Sequence, residues 1–231
     1  MKRFYKTVTT QPVDNGHALL LDNRPVKTPL REPLVLPTVA MADAVAGEWD
    51  AQGDEIVIAS MPLTGFANAA IDQVAPQRQR FVDDIAAYGK TDTLCYRADP
   101  GDPLAERQDR DWEPILKWAE NRYDISMIRV AGIIHQPQST HSLSRLKAPV
   151  MAMDPFTLAG FSTLTSLGGS LVCALALLEK AFDSERIWQA ICLEELWQEE
   201  LWGADGEAVQ AREHRRAAFD AAWRFCCIAQ G

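Results

Sequence analysis

Apolar residues in the first forty positions fall in short runs bounded by turn residues, the pattern of strands. Arg3–Thr9 mixes aromatic and β-branched residues. His17–Leu21 follows an Asp14-Asn15-Gly16 turn, and Asp22-Asn23-Arg24-Pro25 turns the chain into Val26–Thr28. Pro29, Pro33 and Pro37 then punctuate extended pieces around Leu34–Leu36. From Thr38 the period lengthens to that of helices. Thr38 is the expected N-cap of a helix over Val39–Gln52, which Gly53 ends. Helices are predicted over Pro62–Asp72 and Pro76–Tyr88, each with proline in its first turn, with short strands at Asp54–Ala59 and Thr93–Arg97. Leu104–Asn121 is helical, and Asp124–Pro155 reads as irregular apart from one apolar patch at Val130–Ile134. The rest is helix: Pro155–Leu164, Ser170–Phe182, Ser184–Trp202 with Ser184 as N-cap, and Gly206–Ala229. Strands first and helices after predict an α+β class. The expected division is a small β-rich N-terminal domain over residues 1–80 and a mainly α-helical bundle domain over residues 81–231.

The run Ser184–Gly203 breaks its own pattern. Advancing about 100° per residue from Ile187, the apolar arc holds Leu193, Trp197, Ala190, Leu201, Ile187, Ile191 and Trp202. Glu194 at about 340° and Gln198 at about 20° fall in the middle of that arc. Glu195 and Glu199 lie at its edge or beyond, and Glu200 is on the polar side. A carboxylate on a core-facing stripe must be partnered, because an unpaired buried charge is costly. Either an Arg or backbone amides of a neighbouring helix close an internal network, or the pair is presented to another molecule in a groove lined by apolar side chains.

Catalytic patterns fail one by one. There is no Gly-rich loop before Lys-Ser/Thr and no Gly-x-Gly-x-x-Gly, so phosphate cradling has no support. Gly160-Phe161-Ser162-Thr163-Leu164 begins like a nucleophile elbow but lacks the second glycine and a preceding strand. Ser144-Arg145-Leu146-Lys147 fits Ser-x-x-Lys, a pattern frequent by chance. A serine-dependent hydrolase using Ser162 or Ser144 is thus the alternative from another class, and a stable structural subunit of a complex is a third. The four histidines are scattered; His135 and His141 share one segment without a Glu or Cys to complete a ligand set. Asp109 and Asp111 beside Arg107 and Arg110 look like a solvated helix face. No catalytic, cofactor-binding or metal-ligating residue is assigned. Of the seven tryptophans, most have core-like helical spacing, and one or two are candidates for a partner groove.

Composition narrows the partners. The formal net charge of −9 disfavours nucleic acid and anionic lipid, which need a basic footprint. Five cysteines, odd in number and without metal-ligand spacing, read as reduced, core-filling thiols of a cytosol-like compartment. The uncharged stretch Pro155–Leu178 has the length of a membrane span, yet its glycines, serines and threonines divide it into two soluble helices meeting near Ser166–Gly169. The opening MKRFYKTV shows neither an apolar signal core nor an Arg/Ser-rich transit segment, so folded protein is expected to start at or near it.

Leu193-Glu194-Glu195-Leu196-Trp197-Gln198 followed by Trp202-Gly203 resembles the Leu-Glu-Glu-x-x-Gln…Trp-Gly signature of the Atp-twelve type chaperones, which assemble the F(1) sector of ATP synthase. Further segments agree in order along the chain: Arg3–Lys6, Leu21–Pro29, Glu48–Gln52, Met61–Thr64, Ala69–Asp72 and Lys90–Leu94. The resemblance implies an N-terminal α+β domain and a C-terminal helical bundle. It further implies binding of the unassembled α subunit, shielding it from aggregation until the β subunit replaces the chaperone, with no cofactor. It places chaperone activity on the glutamate-rich segment, on Glu194 first and Glu195 second. With Trp197, Gln198 and Trp202 these form the candidate partner-binding set. A bacterial, cytoplasmic, monomeric member is expected, without membrane insertion; eukaryotic relatives would work in the mitochondrial matrix.

Overall fold

The protein is described by a computed structural model covering residues 1–132 and 135–230. Of the apolar patch expected at Val130–Ile134, Ile133 and Ile134 lie outside the described residues. β1 (Val8–Val13) and β2 (Gly16–Leu21) form an antiparallel hairpin, Val8 opposite Leu21 and Val13 opposite Gly16. Asp22 and Asn23, with φ of 48° and 63°, make a two-residue turn that suits Asp and Asn, and β3 (Arg24–Pro25) returns against β2. β4 (Val35–Leu36) pairs with the start of β2. Gly16, with φ of 142°, permits that approach: a Cβ there would lie 2.3 Å from the Leu36 carbonyl oxygen. β2 is therefore central, and its Leu19, Leu20 and Leu21 are all buried.

Two expected strands are not formed as predicted. Arg3–Thr7 stays outside the β1–β2 register, and β1 begins at Val8, because the Asp22 carboxylate takes the Lys6 and Thr7 N–H groups. Asp54–Ala59 contributes one bridge, Lys2 to Glu55, and a 3-10 turn at Ile58–Ser60. Its amides are taken elsewhere: Ile56 donates to the Met1 carbonyl at 2.7 Å and Val57 to Gln52 Oε1 at 2.7 Å.

α1 (Val39–Asp50) starts as predicted, with the Thr38 hydroxyl accepting the Met41 N–H at 3.2 Å, and buries Met41, Ala42 and Val45 against the sheet. α2 (Pro62–Ala69) opens on proline and continues as a π-helical turn over Ala70–Val74. α3 (Arg78–Ala87) follows. β5 (Tyr96–Arg97) precedes α4 (Pro103–Tyr123), which Asp102 caps and Asp124, at φ 53°, ends. β6 (Val130–Ala131) pairs with β5 in parallel. α5 (Thr140–Ala152) lies in the segment expected to be irregular. Its polar first turn and Pro149 hide the helical signal. Ser139 nevertheless caps it, accepting the Ser142 N–H at 3.0 Å, and Ser142, Leu146 and Val150 bury one face at a spacing of four.

α6 (Pro155–Gly168) and α7 (Leu171–Leu178) meet at Gly169, where φ is 58° and a Cβ would lie 2.6 Å from Thr93 Oγ1. All eight residues of α7 are buried. No helix among the described residues is long and apolar enough to cross a membrane. α8 (Ser184–Ile191) is capped by Asp183, one residue before the expected Ser184, through the Arg186 N–H at 2.8 Å. α9 (Leu193–Trp202) and α10 (Gly206–Gln230) complete the chain. The class is α+β.

The chain forms two compact units. One comprises Met1–Arg78, Asp154–Phe161 and the residues from Ala221 onward; the other comprises Gln79–Met153 and Ser162–Asp220. The first has a cluster of Tyr5, Leu21, Ile56 and Met61 with Val8, Val26 and Trp49 against it. In the second, Trp112, Ile115 and Leu116 of α4 are buried, and α4 packs on the wholly buried α7.

Candidate partner-binding surface

Most segments that carry the family resemblance spend their polar groups on the fold. Asp22 accepts the N–H groups of Lys6 (3.0 Å) and Thr7 (2.9 Å), which hold its carboxyl below the usual range. Asp72 accepts from the Thr28 hydroxyl at 2.6 Å and the Leu30 N–H at 3.1 Å. Glu48 caps α2: its carboxylate accepts the Leu63 and Thr64 N–H groups, each at 2.7 Å, and the Thr64 hydroxyl at 2.7 Å. Asp92, wholly buried, accepts from Leu94 N–H at 3.2 Å and from Val172 N–H at 2.9 Å at the start of α7. Burial pushes its carboxyl up to about 6 against the pull of these donors.

α9 differs. The stripe that α8 buries, Ile187, Trp188 and Ala190, is not continued by the residues that a straight helix would align with it. Cys192 (φ −93°, ψ 6°) separates the two helices, and the indole N–H of Trp112 donates to the Ala190 carbonyl at 2.8 Å. Beyond the break, only Leu193 of α9 is buried. The expectation that Glu194 and Gln198 face the core is therefore corrected: both are exposed, with Leu201 and Trp202 on the same outward arc. Trp202 is 77% exposed and Leu201 55%.

The five candidate residues divide between two flanks of α9. On the side of α4, Glu194 Oε1 accepts from Gln108 Nε2 at 2.8 Å, and the Oε1 of buried Gln108 accepts the Ala98 N–H at 2.8 Å. Trp197 lies beneath the Arg107 guanidinium, 5.6 Å from its ring centroid, while Arg107 pairs with Glu200. That pairing lowers the Glu200 carboxyl. On the side of α10, Glu195, Gln198 and Trp202 line a cleft of about 690 Å³ with Arg212 and Arg215. Arg215 donates to Glu195 at 2.6 Å and Arg212 to Glu199 at 2.6 Å. The structure thus brings Glu195, Gln198 and Trp202 together and sets Glu194 and Trp197 apart from them. Arg212 and Arg215 belong to no sequence motif; their spacing of three on α10 matches the spacing of four between Glu195 and Glu199, a signal visible only once the helices are known to adjoin.

The other candidates occupy bland positions. Ser162 lies within α6 and Ser144 within α5, neither at a strand-to-helix turn. Exposed His135 accepts or donates at Tyr96 Oη (2.8 Å), and exposed His141 lies 3.2 Å from the Asp124 carbonyl. Among the described residues no group of three or more His, Cys, Asp or Glu is placed to hold a metal. No disulfide joins the described cysteines, and four of the five are buried; burial pushes Cys95 up to about 12 and Cys192 to about 11, so neither is a ready nucleophile.

Comparison with known proteins adds what geometry alone does not give. A family model described as ATP12 chaperone protein matches residues 2–120, ending before α9. The mitochondrial Atp12 protein of Schizosaccharomyces pombe is 25% identical over 88% of this chain and 74% of its own length. The crystal structure of Atp12 from Paracoccus denitrificans superposes with a TM-score of 0.95 at 37% identity, covering 99% of this chain and 98% of that one. A single-residue mutant of the same Paracoccus protein gives the same score and identity, covering 99% of this chain and 97% of its own. With a family model over more than half of its length and a solved relative along almost all of it, the chain belongs to the ATP12 chaperone family, assembly chaperones of ATP synthase.

Proposed function

We propose that this protein holds the unassembled α subunit of the F(1) sector through the outward face of α9 and the α9–α10 cleft, until the β subunit replaces it. The observation that carries this is Trp202, 77% exposed beside Leu201 at the rim of a cleft edged by Glu195 and Gln198. A large, exposed aromatic side chain ringed by polar groups is the usual anchor of a protein interface. The role also suits its chemistry. An unassembled subunit exposes apolar interface that aggregates, and a holder must cover it yet release it. Ion pairs between half-exposed side chains, such as Glu195 with Arg215, are weak and exchange readily with groups of an incoming partner.

In this proposal the protein is non-catalytic, requires no cofactor, binds neither nucleic acid nor membrane, and acts as a monomer in a bacterial cytoplasm. The test is capture of purified, unassembled α subunit and suppression of its aggregation by the full chain. Capture that Trp202→Ala reduces at least about tenfold, with unchanged thermal stability, supports it; no capture by the unmodified chain contradicts it. Glu194→Gln separates the two roles of that residue: lost stability marks the Gln108 contact as structural, and lost capture with intact folding marks a client contact. Clean labelling of Ser162 or Ser144 by a serine-directed probe would instead establish the hydrolase alternative.

A further inference from the structure

A further cleft, of about 580 Å³, lies in the first compact unit, between the residues before β1, the β2–β3 turn and the end of α1. One wall is a row of three aromatic rings. Phe4 meets Tyr5 edge to face with ring centroids 5.4 Å apart, and Tyr5 meets Trp49 at 5.7 Å. Tyr5 and Leu21 are buried, whereas Phe4 at the outer end of the row is 65% exposed. An aromatic ring standing in water at the mouth of an apolar cleft leaves a face for another side chain to cover.

The charges around this cleft are unequal, and the cations are uncommitted. Arg24 and Lys27 line it, both are exposed, and among the described residues neither side chain has an ion-pair or hydrogen-bond partner. Among the described residues one carboxylate lines it, Asp22, whose Oδ1 accepts the Lys6 N–H, the Thr7 N–H and the Thr7 hydroxyl. The Thr7 and Lys6 N–H groups, and behind them the Lys6 ammonium, hold that carboxyl below the usual range. Asp50, beside Trp49, is taken by Arg3 at 3.7 Å, and Glu48 by the start of α2. Arg24, Lys27 and Lys6 against Asp22 leave a positive excess. The first 42 residues carry six Lys or Arg and three Asp or Glu, in a chain whose net charge is −9. This surface has the opposite sign to the whole.

We infer that this cleft docks a short acidic segment of a partner polypeptide, with an aromatic or aliphatic side chain against Phe4 and Trp49 and carboxylates on Arg24 and Lys27. A free guanidinium takes a carboxylate in its fork, and here no internal ion pair has to break first. Length separates this occupant from other anions. Charges more than about 10 Å away are largely screened at 0.1 M salt, so a short segment meets only the local positive surface. A membrane or a nucleic acid strand extends past it and meets the acidic remainder. α9 lies in the other unit, and this site is independent of the α-subunit role proposed above.

The test titrates the full chain by fluorescence anisotropy against the fluorescein-labelled peptides EDFEDL, KKFKKL and EDAEDA. EDFEDL binds, more weakly as salt rises, and KKFKKL does not. EDAEDA, without the large apolar side chains, binds several-fold more weakly. Arg24→Glu combined with Lys27→Glu lowers the EDFEDL affinity at least about tenfold, and Phe4→Ala lowers it several-fold. All three side chains are exposed, so the circular dichroism spectrum and melting temperature stay unchanged. Trp202→Ala leaves the affinity as it was. No binding of EDFEDL, equal binding of KKFKKL, full affinity in the double variant, or loss of binding in Trp202→Ala overturns the site. Phosphatidylserine vesicles or labelled oligothymidylate are titrated in parallel. Binding of either as tightly as EDFEDL, lost in the double variant, would assign the patch to a lipid surface or a nucleic acid and overturn the polypeptide.

Discussion

The carboxylates of this chain live in two settings. Asp22, Glu48, Asp72 and Asp92 each accept backbone N–H groups, so each fixes a stretch of chain that would otherwise have unsatisfied donors. Glu194, Glu195, Glu199 and Glu200 on α9 accept instead from side chains, those of Gln108 and the half-buried Arg215, Arg212 and Arg107. Both groups belong to segments that resemble one family of chaperones, but the first group holds backbone and the second holds side chains. A sequence match therefore says which residues matter and not why. The hydrogen-bond partner decides: a backbone amide signals architecture, while a partly exposed guanidinium leaves room for exchange.

The largest effect is expected at Asp92. Asp92→Ala strips acceptors from the Leu94 and Val172 N–H groups in a wholly buried site, and should cost about 3 kcal/mol of stability, read as a lower urea midpoint. Glu48→Ala uncaps α2 and leaves the Leu63 and Thr64 N–H groups open, for a loss of about 2 kcal/mol. A chain that tolerates either change without loss would break the contrast. Next in size is a pH effect. The Asp92 carboxyl rises on folding from 3.8 to about 6, so the folded chain binds more protons between those values. Its contribution to stability is complete below the lower value and is lost as pH climbs through about 6. Between pH 4 and 6 that gives a slope of up to about 1.4 kcal/mol per unit, falling with rising pH, and the slope should vanish in Asp92→Asn. Smallest is Glu195→Gln, where a half-exposed pair with Arg215 is removed: below about 1 kcal/mol in unfolding, with the effect appearing in client capture instead.

Local chemistry made part of this legible in advance. The Asp14-Asn15-Gly16 and Asp22-Asn23 turns mark the hairpin and its return, and Thr38 and the proline at 62 mark helix starts, because each acts on its own neighbours. What could not be read depends on partners far along the chain. The break between α8 and α9 is marked by no proline or glycine; the Trp112 indole, distant in sequence, takes the Ala190 carbonyl there. A straight-helix projection across Cys192 thus placed Glu194, Gln198, Leu201 and Trp202 on the inside when they face out. α5 was hidden likewise, its buried face being spread over Ser142, Leu146 and Val150 behind a polar first turn. The odd placement of Glu194 and Gln198 was still the useful signal: the sequence located the segment, and the break decided which way it points.

Residue-level crosslinking of the full chain to unassembled α subunit shows whether α9 and α10 hold the client. Crosslinks are expected to concentrate on α9 and the first half of α10, around Gln198, Trp202 and Arg212, with few at the hairpin or at α2. Crosslinks centred on β1, β2 and α2, with α9 and α10 unmarked, would contradict it.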